Sequence, residues 1–256
     1  MKNYGSLAAV LCAALLASCE KTAVQDITGP LPSARIKFFN FGVNAPGLNF
    51  YANAQKMTAI SSTSGIEAVT GVVYGAVGAG GFYSAIEPGQ YNVTGKIAAL
   101  IDKDLIIATV ATTVADGKYY SFYTSGFYDA TTKTVDGFVL EDPFVPPVDL
   151  TVASVRFVNA ISNSSPMILY AKNTTTAEEV AVGAAVSYKG AGAFTPLPGG
   201  VYDLSTRLAG STTNIIVSTA VSFSGGRVYT IGSRGDITVT STTAANRPIL
   251  GNTANR

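Results

Sequence analysis

The chain has 256 residues, with 17 basic and 16 acidic side chains, a formal net charge of +1, two cysteines and neither histidine nor tryptophan. Without histidine there is no Ser-His-Asp or Cys-His nucleophile pair, no histidine metal ligand and no histidine general base, so any catalysis would fall to carboxylates, lysine or tyrosine. A near-neutral surface without a run of five like charges gives no steering toward nucleic acid, which is excluded as an expected partner.

The first residues read as an export signal, with Lys2 as a thin basic start and an apolar run from Leu7 to Leu16. That run is about ten residues, against the roughly 20 a membrane-spanning helix needs. It closes in Leu16-Ala17-Ser18-Cys19, which resembles the bacterial lipobox, where cleavage precedes a cysteine whose sulfur takes a diacylglycerol. An ordinary secretory signal with an incidental cysteine is the alternative, disfavoured because Cys19 follows the apolar run directly; Cys12 has the bulky Val10 and Leu11 ahead of it. The expectation is a signal peptide over 1–18 and a lipoprotein beginning at Cys19, held by acyl chains of the palmitate kind in an outer membrane, on either its periplasmic or its cell-surface face. Residues 19–32 then form a tether spanning roughly 20 Å. Cleavage would remove Lys2 and Cys12, equalising bases and acids and leaving no thiol for an internal disulfide.

Beyond the tether the chain repeats itself. Ala34–Ala52 aligns without a gap to Ala153–Ala171, placing Phe38, Asn40, Asn44 and Tyr51 on Phe157, Asn159, Asn163 and Tyr170. Ile86–Ala98 aligns to Leu197–Ala209, with Gly89 and Tyr91 on Gly200 and Tyr202, and Gly117–Gly126 aligns to Gly226–Gly235. In Tyr91-Val93-Ile97 and Tyr202-Leu204-Leu208 apolar residues fall on alternate positions, the period of a half-buried strand. Asp102-Lys103-Asp104 and Gly210 to Asn214 interrupt apolar runs as hairpin turns, and Pro88-Gly89 and Gly199-Gly200 precede the tyrosine strands as turn residues. Short strands punctuated by turn residues, with no long helix, predict an all-β fold: two tandem antiparallel β-sandwich modules of immunoglobulin or transthyretin type. The modules are placed at 33–140 and 152–240, about 108 and 89 residues, each able to bury its own core. The proline-rich segment 141–151 is expected to be a semi-rigid linker, and 241–256 a polar tail, frayed or forming a last edge strand.

The doubled pattern of Phe-x-Asn, Gly-x-Tyr-x-Val/Leu and Gly-Lys/Arg-x-Tyr-Thr/Ser resembles the bacterial "domain of unknown function 4397" family over about 33–140 and 152–240, with a short insertion in the first copy between Tyr51 and Gly81. The resemblance implies an exported, often lipid-anchored β-sandwich and supplies no catalytic residues. The Ser-Cys-Glu-Lys start also looks like lipoproteins of the Bacteroidetes group.

Three basic positions recur, Lys37/Arg156, Lys96/Arg207 and Lys118/Arg227. They are read chiefly as solubilising charge on outward strand faces, with an anionic-ligand stripe as the competing account. Asp102/Asp104, Glu141/Asp142 and Glu178/Glu179 are assigned to turns or solvated loops, and no metal site or cofactor is expected. Alternation makes half of the aromatics in Phe38-Phe39-Phe41 and Tyr119-Tyr120-Phe122-Tyr123 core. The outward half, Phe39, Phe41, Tyr119 and Tyr123, is the candidate ligand face or, alternatively, the contact between modules; the second copy has Val158, Ala160, Val228 and Gly232 there. The expected function is non-catalytic: a lipid-anchored envelope protein presenting two modules for adhesion or for binding an envelope or external protein. The alternative is glycan binding through the aromatic face of the first module.

Overall fold

The computed structural model describes residues 32–58, 68–145 and 147–255. The expected signal, Leu16, Ala17, Ser18, Cys19 and nearly all of the tether lie outside the described residues.

The first copy contributes β1 (Ala34–Asn40), β2 (Leu48–Ala52), β3 (Gln55–Lys56), β4 (Ser84–Ile86), β5 (Gly89–Ile97), β6 (Ile106–Val114), β7 (Tyr119–Asp129) and β8 (Thr134–Glu141). The second contributes β9 (Val152–Asn159), β10 (Met167–Asn173), β11 (Glu179–Val186), β12 (Gly190–Ala191), β13 (Thr195–Pro198), β14 (Gly200–Leu208), β15 (Ile216–Phe223), β16 (Val228–Arg234) and β17 (Ile249–Ala254). One sheet of each module runs β3-β2-β5-β6 or β11-β10-β14-β15. The other runs β4-β1-β7-β8 or β12-β9-β16-β17, with β13 also on β9. The chain is therefore an all-β pair of sandwiches, and the two copies have the same strand order.

Each module encloses its own core. In the first, Ile36, Phe38, Leu48, Phe50, Val93, Ile97 and Phe122 meet between the sheets, with Phe38 stacked on Phe50 at 5.3 Å between centroids. In the second, Val155, Phe157, Met167, Leu169, Leu204, Phe223 and Ile231 do the same. The recurrent polar residues brace these cores. Tyr91 and Tyr202 donate their hydroxyls to the carbonyls of Glu87 and Pro198 at 2.9 and 2.7 Å, fixing the turn that launches each tyrosine strand. Asn40 and Asn159 are fully buried; their side chains donate to the carbonyls of Val72 and Val186 and accept from Thr124 and Ser233, tying each first strand to its neighbours. A buried amide is tolerated only when its donors and acceptor are met, which these bonds accomplish.

Three expectations are corrected. The sandwiches are not wholly antiparallel: β1 pairs with β7, and β9 with β16, in parallel. The chain leaves each first strand for the opposite sheet and returns by a long connection, which permits parallel pairing. Of the two readings of the tail the edge strand holds, and it is the module's bound at 240 that changes. β17 lies antiparallel to β16 from Arg234↔Ile249 to Tyr229↔Ala254, the place β8 takes beside β7, so the module runs to residue 254. Lastly, 141–151 does not hold the modules apart. Glu141 ends β8, Asp142 is buried, and the sheets carrying β1 and β9 pack directly on one another. These inner sheets are covered on both faces, which explains the nearly unbroken burial along β1, β7, β9 and β16.

Candidate functional site at the seam between the modules

The residues proposed from sequence as an outward face converge on this seam. Phe39, Tyr123 and Phe138 stand in register across β1, β7 and β8, and their rings stack at 4.4 and 4.9 Å. Phe41 closes edge-on against Phe39 at 5.3 Å. Val158 and Ala160 of the second module complete the cluster. Phe39, Phe41 and Tyr123 are at most 4% exposed, so the face is the contact between modules and not a platform open to a sugar. Opposite them the second module is small: Val158, Ala160 and Gly232 stand where the first has Phe39, Phe41 and Tyr123, and Gly251, paired with Gly232, matches Phe138. A Cβ on Gly232 would lie 2.9 Å from the Phe41 ring. Large rings on one sheet thus fill the space left by small residues on the other.

Two of the recurrent basic residues lie beside this stack. Lys37 on β1 and Arg156 on β9 are 0% and 1% exposed, which corrects their assignment to a wet face. Each reaches across to the end of the other module's last strand. Arg156 donates to the Glu141 carbonyl at 3.1 Å through Nη1, to Thr230 Oγ1 at 3.1 Å through Nε, and to Asp142 Oδ1 through Nη2. Lys37 Nζ donates to the Ala254 carbonyl at 3.0 Å and to Asn255 Oδ1 at 3.2 Å. Because Tyr120 pairs with Glu141 as Tyr229 pairs with Ala254, the two clasps are equivalent, related by a quasi-twofold. An aromatic ring covers each cation: Tyr83 lies 4.2 Å from Lys37 Nζ, and Phe194 lies 5.0 Å from the Arg156 guanidinium.

The clasps differ in charge. Asp142 also accepts from Ser121 and Tyr83, each at 2.7 Å, so its carboxylate is saturated by charged and neutral donors. Among the described residues Lys37 has only neutral acceptors, and burial lowers its ammonium pKa to about 8, the attraction of Asp142 offsetting only part of that while Arg156 adds to it. Burial, with the nearby Asp142, pushes the Tyr83 phenol well above its ordinary range.

The remaining candidates fall elsewhere. Lys96 and Arg207 lie over the recurrent Tyr51 and Tyr170 rings at 4.1 and 4.3 Å, and Arg207 is bidentate to Glu179 with both contacts at 2.7 Å. Lys118 pairs with Glu141 at 3.0 Å on the surface, Arg227 is exposed, and Asp102 pairs with Lys133 at 2.6 Å. Asp142 is misassigned from sequence because its burial depends on an arginine from the second copy, and Glu141 and Glu179, assigned with it to linker and loop, end β8 and open β11. No group of three or more acidic or cysteine side chains is gathered for a metal among the described residues. Tyr119 is half-buried and packs with Tyr83, Phe144 and Phe194 into a ring cluster bordering Arg156 and Asp142. Beside the Lys37 clasp, a cavity of about 340 Å³ opens between Val77, Gly80, Phe82 and Tyr83 on one side and Arg227 and Asn252–Asn255 on the other.

No family model matches the chain, and no curated protein matches it. Among solved structures, "The Bacillus anthracis TIE protein" is 14% identical with a TM-score of 0.25, over 78% of this chain and 33% of that one. The chain thus spans well under two thirds of that protein's length, and at this score the likeness carries no inference about fold or function.

Proposed function

We propose that the chain is a lipid-anchored, non-catalytic envelope protein whose two modules act as one unit in adhesion or in binding a protein partner. The observation that carries this reading is that exposed apolar residues gather at the end of the first module opposite Ser33. Ser33, where the tether would enter, bonds Asp116 and the Gly117 amide at the end of the first module where β7 begins. At the opposite end, nine residues or about 30 Å along β5, the β5–β6 turn exposes Leu100, Ile101, Leu105 and Ile106, with Ile101 at 82%. An apolar tip at the far end of a tethered body suits contact with a partner beyond the membrane surface.

Proximity crosslinking in intact cells tests this. A Leu100→Asp/Ile101→Asp variant should lose a partner recovered with the parent chain, and unchanged recovery would count against the tip. Protease treatment of whole cells would distinguish a cell-surface from a periplasmic address, and Cys19→Ala should release the chain from membranes. The resemblance to the "domain of unknown function 4397" family remains part of this proposal and rests on the recurring residues alone. Glycan binding, the alternative, shifts from the buried stack to the half-buried Tyr83, Tyr119, Phe144 and Phe194; a flat glycan-array response would remove it.

A further inference from the structure

We propose that Lys37 and Asn255 condense to an amide, a covalent clasp joining the first strand of the first module to the end of the last strand of the second. The geometry sets an amine against a carboxamide: Lys37 is fully buried with its Nζ 3.2 Å from Asn255 Oδ1, and Nζ is also held by the Ala254 carbonyl at 3.0 Å and under the Tyr83 ring. Groups fixed at such separation react as parts of one molecule, which removes much of the entropic barrier to an otherwise slow exchange. The far side of the amide is held too, because Asn255 Nδ2 donates to Thr230 Oγ1 at 2.7 Å.

The step balances without an oxidant or another reactant. The neutral Lys37 amine attacks Asn255 Cγ, the Nζ–Cγ bond forms, the Cγ–Nδ2 bond breaks, and ammonia leaves with the proton that Nζ gives up. Thr230 Oγ1, beside the leaving nitrogen, is placed to relay that proton. Arg156 Nε donates to the same hydroxyl at 3.1 Å and fixes it beside the leaving nitrogen. A lysine pKa of about 8 leaves an appreciable neutral fraction near neutral pH. The cavity lined by Tyr83 and Asn255 gives ammonia a way out. The equivalent clasp in the other copy cannot follow this course. Arg156 offers a delocalised guanidinium, a poor nucleophile, and Asp142 a carboxylate, a poor acyl donor. The duplicated site thus holds an ion pair on one side and a pair able to form a bond on the other, whatever the modules bind.

Mass spectrometry of the purified full chain tests it. The intact mass should fall one ammonia short of that calculated for the processed chain, and a tryptic digest should contain a branched peptide joining the Lys37 segment to the Asn255 segment in near-stoichiometric amount. Lys37→Arg and Asn255→Ala should each restore the uncrosslinked mass and abolish the branched peptide. Recovery of Lys37 and Asn255 from the parent in separate, unmodified peptides would overturn the proposal. So would an ammonia loss that persists in Lys37→Arg, which would mark cyclisation of Asn255 on its own backbone. The parent digest decides the matter even if a variant fails to fold.

Discussion

The facing sheets of the two modules share a strand order but divide their labour. The first presents Phe39, Phe41, Tyr123 and Phe138; the second presents Val158, Ala160, Gly232 and Gly251 at the matching positions. Two sheets bearing rings everywhere would be forced apart, and two bearing small residues would leave voids, so duplication followed by divergence in size lets one copy fill the other. The clasps diverged in a parallel way, one to Arg156 with a carboxylate and the other to Lys37 with an amide and a carbonyl. The same fold position can therefore hold a strong ion pair or a weakly compensated cation, depending on what the last strand of the other module supplies.

Breaking the ionic clasp should have the largest effect. Arg156→Met leaves Asp142 buried without its cation, a loss of about 3–5 kcal/mol by chemical denaturation. The size complementarity comes next. Gly232→Leu should cost about 1–3 kcal/mol by crowding the Phe41 ring, and Phe41→Ala in the same chain should return part of that loss, which a denaturation double-mutant cycle would read as coupling.

The lysine clasp should respond in the opposite direction to the arginine one. In an Asn255→Ala background, where no amide can form, Lys37→Met should leave stability equal or higher, because it removes a buried charge that no carboxylate pairs directly. In that background, with Lys37 kept, the unfolded lysine binds a proton that the folded one releases between about pH 8 and 10.5. Stability should therefore rise across that window and be flat below it, and the rise should vanish with Lys37→Met. The smallest effect belongs to the rim, where Asp136 of the first module meets Lys189 and Tyr188 of the second at 2.7 and 3.0 Å. Burial alone would raise the Asp136 pKa, but Lys189, the Gly137 amide and Tyr188 together hold it below the ordinary carboxylate value. Its contribution is present above that ordinary value and lost as pH falls through the lowered one; Asp136→Asn should cost under about 1 kcal/mol.

Much of this architecture could be read from local pattern. Alternation separated Phe38, Tyr120 and Phe122, which face the module core, from Phe39, Phe41 and Tyr123, which do not, and the repeat located equivalent strands in both copies. Whether a ligand or the other module covers the second set was left open, because the facing surface, with Val158, Ala160 and two glycines, carries little aromatic or bulky apolar signal of its own. Lys37 and Arg156 looked like wet charges since their burial depends on carbonyls and side chains of the other module, 217 residues along the chain for Lys37 and 15 for Arg156, brought together by the docking of two sheets that strand periodicity does not report. β17 was legible only as one of two readings of the tail, because Ile249-Leu250-Gly-Asn-Thr-Ala254 offers two apolar residues and becomes a strand by adding to the edge of β16.

The central claim is that the two sandwiches form one body through the buried seam. Differential scanning calorimetry of the full chain tests it most directly. The account predicts a single cooperative transition whose calorimetric and van't Hoff enthalpies agree. Two separated transitions, one module melting while the other stays folded, would contradict it.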